Sequence, residues 1–324
     1  MKILLFPGQG TQKVGMFAPF ISAFPIAKQT LEGIEDVVHF KISSIVEDGT
    51  NEELSKTDNA QLAIFSLGAI CLTILQKEYG FDLKQQCKYL AGHSLGEYTA
   101  LYASGVFNLR DMSKIVRKRG KLMAEVCKTS QNYIMTAIVG KISSNDESLF
   151  EKLKDLVDSQ SEQPGICVIA NDNSNTQIVL SGHANAVKNV IEAIMGEYPT
   201  LRAINLNTSG AFHSPLMSKS AIELDEYLSD FSDRINEPQV PVISNVSATP
   251  IFDKTIICNE LVSQMVNRVR WRETIDMVTH DNEIDEIVEL CPGHVLSGML
   301  KRDYPDMLVT SLETMSQIDD FMKR

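Results

Sequence analysis

Ser94 stands at the centre of Gly92-His93-Ser94-Leu95-Gly96, a G-x-S-x-G pentapeptide. In that pattern a strained strand-to-helix turn lifts a serine hydroxyl clear of the backbone, and the small glycines let neighbouring elements pass close by. The helix that follows aims its positive end at the serine, which favours a developing oxyanion. The backbone N–H of Leu95 is the expected first donor to that oxyanion. The chemistry this serves is nucleophilic attack on a carbonyl. A plain tight turn is the competing reading. It is weakened by the strand-like run before the pentapeptide and the helical spacing after it.

A serine nucleophile needs a base. The histidines are His39, His93, His183, His213, His280 and His294. His93 adjoins Ser94, so the two side chains are expected to aim apart. His183 follows Ser181-Gly182 and opens a helix, where capping is its ordinary role. His39 and His280 lie in polar, acidic surroundings and read as surface residues, while His294 follows Pro292-Gly293 near a helix start. His213 lies in the irregular stretch Ser209-Gly210-Ala211-Phe212-His213-Ser214-Pro215. A loop histidine on a rigid scaffold suits a base; a satisfied structural histidine is the alternative.

Two further segments bear on a site. Pro7-Gly8-Gln9-Gly10 closes the first apolar run. Its glycines allow close backbone approach, and such a loop can supply a second oxyanion N–H. A phosphate cradle is the rival reading, but neither the dinucleotide nor the P-loop pattern is completed. The run Lys114, Arg117, Lys118, Arg119, Lys121 is basic within an acidic chain. Most of it reads as a solvated helix face. One arginine turned inward beside Val116, Leu122 and Met123 could grip a carboxylate with two parallel hydrogen bonds.

The elements that must position these residues follow from spacing. Lys2-Ile3-Leu4-Leu5-Phe6 reads as a buried strand, and Gln61 to Glu78 as a helix with apolar residues three or four apart. Tyr89-Leu90-Ala91, the glycine-flanked serine and a helix over 97–103 make a βα unit, so the first third is α/β with a parallel sheet. The middle reads strand 133–139, helix 146–157, strand 165–170, a turn cluster at 171–175, strand 177–180, helix 183–195 and strand 201–206. That order, βαββαβ, is the ferredoxin-like pattern. The expected division is a large domain of residues 1–130 and 208–324 around a small subdomain of 131–207. The large domain resumes near Ser209, with a strand at 242–243, a helix at 259–266, a strand at 284–290 and a final helix.

The chain has 324 residues and a net charge of −12, with 44% apolar and 22% charged residues. That usage is globular, and the acidity argues against bulk binding to nucleic acid or an anionic membrane. Apolar runs such as Ile3-Leu4-Leu5-Phe6 fall far short of the roughly 20 residues a membrane span needs. The strand-like run begins at once, so no cleavable leader is expected before it. The six cysteines form no C-x-x-C, so no zinc site is expected, and they read as reduced thiols of an intracellular protein.

Taken together, these segments resemble the malonyl-CoA:acyl carrier protein transacylase family over nearly the whole chain. The matching stretches are Phe6-Pro7-Gly8-Gln9-Gly10-Thr11-Gln12, Ala91 to Tyr98, Arg117 to Met123, Gln177 to Gly182, Gly210 to Met217 and Glu289-Leu290-Cys291-Pro292-Gly293. Thr11 stands where serine is commoner. Cys291 stands where glycine usually precedes Pro-Gly, a strained position if it needs φ > 0.

The resemblance implies an α/β-hydrolase-like core with an inserted ferredoxin-like subdomain. It implies ping-pong transfer of malonyl from malonyl-CoA to the phosphopantetheine thiol of an acyl carrier protein. Ser94 would be the nucleophile and His213 the base and acid. The backbone N–H groups of Gln9 and Leu95 would form the oxyanion hole. Arg119 would hold the malonyl carboxylate, with His93 and Phe212 also at the substrate, and Phe212 would disfavour an α-methyl group. A backbone carbonyl from roughly 281–283 would orient His213. No cofactor and no metal would be needed. The partners are the carrier protein and a coenzyme A thioester, with docking cations sought in the basic run or at Arg268, Arg270 and Arg272. A monomer is the default expectation. The compartment would be the cytoplasm in a bacterium, and the mitochondrion or plastid in a eukaryote. A serine thioesterase or hydrolase on the same elbow, and a non-catalytic docking subunit, are the rival readings.

Overall fold

The computed structural model describes residues 1–129, 132–142, 148–160, 164–208 and 210–324. The expected boundary at 130/131, the first residues of the helix expected from 146, and Ser209 lie outside the described residues.

A six-stranded sheet runs in the order β10 (Val309–Leu312), β9 (Glu286–Leu290), β1 (Lys2–Phe6), β2 (Cys87–Gly92), β7 (Val242–Ile243), β8 (Pro250–Ile251). Every neighbouring pair is parallel except the terminal β7–β8 pair. The apolar run of β1 is what a central parallel strand covered on both faces requires. Its side chains alternate between two cores. Leu4 and Phe6 join the core containing Phe65, Leu62 and Ile70. Ile3 and Leu5 face Trp271, Ile275 and Ile287.

The helix Thr57–Lys77 is apolar nearly all round because it is enclosed nearly all round. By length and composition it could cross a membrane, yet 89% of the relevant window is buried inside the structure. It is therefore the core helix of this domain, an apolar segment longer than the short runs prominent in the sequence.

The second sheet has the order β4 (Cys167–Ser174), β5 (Gln177–His183), β3 (Tyr133–Val139), β6 (Arg202–Asn205), with all neighbours antiparallel. With the helices Leu149–Ser159 and Ala184–Glu197, this is the ferredoxin-like topology. Ile138, Ile178 and Leu180 face those two helices. Met135, Ala137 and Val179 face the large domain instead.

Three expectations need correction. Asn171-Asp172-Asn173 is strand rather than turn. These residues favour turns, but pairing overrides that preference. Val269 N donates to Ala170 O at 2.8 Å and Asp172 N to Val269 O at 3.0 Å, tying β4 to the large domain. After β9 the chain makes a helix, then β10, then a second helix, rather than one final helix. Cys71 and Cys291 are disulfide-bonded rather than both free, since the core helix lies against the turn that follows β9. Cys291 is not at positive φ; Gly293 takes that conformation, at 84°, so cysteine is accommodated there.

Candidate active site

The serine turn is built by exclusion. A Cβ on Gly92 would lie 1.9 Å from the Gly96 carbonyl carbon, and one on Gly96 would lie 2.0 Å from Phe6 O. Both positions therefore require glycine. Between them Ser94 sits at φ 52°, ψ −103°, as the residue that opens the helix Leu95–Ala103. Asn245 pins the strained turn from outside: its Oδ1 accepts from Ser94 N and its Nδ2 donates to Gly92 O, each at 2.7 Å. His93 turns away from Ser94, as expected. Its Nε2 meets Asn173 Oδ1 at 2.7 Å, and its ring meets Trp271 edge-on at 5.4 Å.

Of the six histidines, His213 is the one at the serine. Ser94 Oγ lies 2.8 Å from His213 Nε2, and His213 Nδ1 lies 2.8 Å from Gln264 O. A carbonyl can only accept, so Nδ1 carries the proton and Nε2 is left to receive the serine proton. Burial, and then the positive charge of Arg119, lower the imidazole pKa from 6.5 to about 3, so the ring is neutral near pH 7.

The orienting carbonyl is thus that of Gln264, not one in 281–283. The physical reason is the sheet: 281–283 precedes β9 and lies at the edge where strands begin. There Glu283 O accepts from the N-terminal amine, and Lys88 reaches Asp281. Ser94 lies at the opposite edge, beyond the end of β2. Gln264 closes the helix Ile257–Gln264, whose last carbonyls have no partner within the helix.

Of the basic run, Arg119 is the residue that faces inward. It is 1% exposed. Its Nη1 donates to Gln61 Oε1 at 2.6 Å, and its Nη2 donates to Gln264 Oε1 at 2.9 Å and Ser94 Oγ at 3.1 Å. The guanidinium lies 4.9 Å from the Tyr98 ring centroid. No carboxylate pairs with it among the described residues. Arg117 is occupied by Asp58 and the Phe40 ring, and Lys118 lies over Tyr227.

These groups share a cavity of about 540 Å³ between the two sheets, lined by Gln9, His93, Ser94, Leu95, Arg119, Phe212 and His213 among others. The backbone N–H groups of Gln9 and Leu95 border it, and neither donates to an acceptor among the described residues. The structure therefore brings Gln9, His93, Ser94, Leu95, Arg119, Phe212 and His213 to one cavity, but neither the segment 281–283 nor the three rim arginines.

The rim arginines are engaged elsewhere. Arg268 and Arg270 share Glu273. Arg272 holds the fully buried Asp172 through two hydrogen bonds, at 2.9 and 3.1 Å. Sequence reasoning missed Gln61, Asn173, Asn245 and Gln264. Glu97 lies within the matching stretch Ala91 to Tyr98, where it carries no assigned role.

The chain matches the acyl transferase domain over residues 3–314. It is 37% identical over 298 residues to the malonyl CoA-acyl carrier protein transacylase of Bacillus subtilis, covering 92% of this chain and 89% of that one. It superposes on the acyl-carrier-protein S-malonyltransferase of Bartonella henselae with a TM-score of 0.88 and 32% identity, over 99% of this chain and 98% of the other. A malonyl-transacylase solved in complex with its type II PKS acyl-carrier protein gives a TM-score of 0.87 and 30% identity, over 99% of both chains.

Proposed function

The chain belongs to the acyl transferase domain family, and on that premise we propose that it moves malonyl from malonyl-CoA to the phosphopantetheine thiol of an acyl carrier protein through an ester on Ser94. His213 Nε2 takes the hydroxyl proton as Ser94 Oγ attacks the thioester carbonyl. The amides of Gln9 and Leu95 receive the oxyanion. Collapse breaks the C–S bond, and His213 returns the proton to the departing thiolate. In the second half, the pantetheine thiol gives its proton to His213 and attacks the ester carbonyl. The C–O bond to Ser94 breaks, and His213 reprotonates the serine.

One observation carries this reading. Arg119 is buried, has no carboxylate partner among the described residues, and lies 3.1 Å from the nucleophile. An acyl chain ending in a carboxylate supplies the missing anion. A serine hydrolase on the same elbow would hold its histidine with a carboxylate and would need no such arginine. Here the carbonyl of Gln264 orients His213. The relative held in complex with its carrier protein supports the acceptor.

The test is transfer to a holo acyl carrier protein from malonyl-CoA and, separately, from acetyl-CoA. Malonyl transfer is expected to dominate, with little CoA released when the carrier is left out. Steady CoA release without the carrier would overturn the reading in favour of a hydrolase.

A further inference from the structure

Gln264 is the common partner of the whole site. Its carbonyl orients His213, its Oε1 accepts from Arg119, and its Nε2 donates to Ser94 O at 3.0 Å. A glutamine amide can present its oxygen and nitrogen either way round. The neighbour that decides between them is Glu97, 1% exposed on the helix that Ser94 opens. Glu97 Oε2 accepts from Gln264 Nε2 at 2.5 Å and from Asn245 N at 3.3 Å. An oxygen already accepting from a backbone N–H must face the NH₂ of Gln264. The amide oxygen is then left for Arg119. With the amide reversed, two acceptors would meet at Glu97 and two donors at Arg119.

Resting on the transfer reading above, we propose that Glu97 is a positioning residue: it fixes the amide of Gln264 in the one orientation that accepts from Arg119 and holds its guanidinium at Ser94. Because Oε2 accepts twice and Oε1 meets no partner among the described residues, a proton taken up by this carboxyl sits on Oε1. Burial raises the carboxyl pKa to about 8. The hydrogen bonds from Gln264 and Asn245 oppose burial, Glu260, on the helix that carries Gln264, adds to it, and Arg119 opposes it. At neutral pH Glu97 is therefore uncharged, and the charge of Arg119 stays available to a substrate carboxylate. Above about pH 8 the ionised Glu97, one amide away, competes with that substrate.

The experiment compares malonyl-CoA with acetyl-CoA for the parent protein, E97A and E97Q from pH 6 to 9.5, normalised to sites that form an acyl-enzyme. E97A is expected to lose about tenfold in malonyl-over-acetyl preference and to lower kcat per acylated site. E97Q, which keeps an acceptor for Gln264 and Asn245, is expected to restore the preference at pH 7 and to abolish its decline above pH 8. If E97A does not fold, Glu97→Asp takes its place, since the shorter arm withdraws the acceptor. Unchanged preference and kcat per site in E97A, with only a lower Tm, would reduce Glu97 to a structural residue and overturn the proposal. So would an E97Q indistinguishable from E97A. A parent protein that forms no malonyl-enzyme would remove the transfer reading itself, and the proposal with it.

Discussion

Replacing Arg119 with methionine removes the guanidinium while keeping much of its volume. Two charge-assisted hydrogen bonds to a buried carboxylate disappear, and an unpaired buried anion costs about 2–5 kcal/mol. At about 1.4 kcal/mol per decade, kcat/KM for malonyl-CoA should fall about 30- to 4,000-fold. Arg119 also holds Gln61 and Gln264, and Gln264 orients His213. Part of the loss is therefore common to any acyl donor. The malonyl-to-acetyl ratio cancels that part and isolates the carboxylate, so it should fall by at least about 30-fold. A second signature is expected in the pH profile. Arg119 is the second cause holding His213 down, after burial. His213 must be neutral to accept a proton, so activity falls as pH drops through its pKa. Without the arginine that pKa rises, and the acid limb should move to higher pH. The assay is single-turnover acylation with both donors across pH, with Tm measured to confirm folding. Equal losses for malonyl and acetyl, with an unmoved acid limb, would refute the assignment of Arg119 as the carboxylate anchor.

Other outcomes follow from the same geometry. In the parent protein the acid limb of kcat/KM should lie well below pH 6.5, because the depressed imidazole stays neutral there; a midpoint near 6.5 in the rate profile would contradict it. Arg272→Ala leaves Asp172 buried without its guanidinium and should cost about 3 kcal/mol by denaturant unfolding, whereas a change under about 0.5 kcal/mol, the scale of surface substitutions, would mean the clamp between the sheets is weak. Phe212→Ala opens room beside His213 in the cavity, and should narrow the preference for malonyl over methylmalonyl by about tenfold, within the range one methyl group commands.

The serine turn is legible in sequence because its backbone excludes side chains. The demand that Gly96 pass beneath Phe6 O is written directly as a glycine. His213 is different. It meets Ser94 across 119 residues, and no local pattern distinguishes a base from a structural histidine. Its resemblance to a whole family motif, not its spacing, singles it out. Gln61, Asn245 and Gln264 make their contacts across separations of 58 to 170 residues. A buried amide side chain leaves no periodic or spacing signal of its own. Asn173 was hidden by its own propensity, since Asn-Asp-Asn favours a turn and only its pairing partners hold it in β4. The orienting carbonyl is a backbone atom at a helix end, so side-chain identity does not encode it.

The central claim is that Ser94 is the nucleophile through which malonyl passes. Intact mass of the purified protein after incubation with malonyl-CoA tests it most directly, with Ser94→Ala alongside. A single malonyl adduct on the parent, absent from the variant and cleared by adding holo acyl carrier protein, is the predicted result. An adduct that persists in Ser94→Ala, or none on folded parent protein, would contradict it.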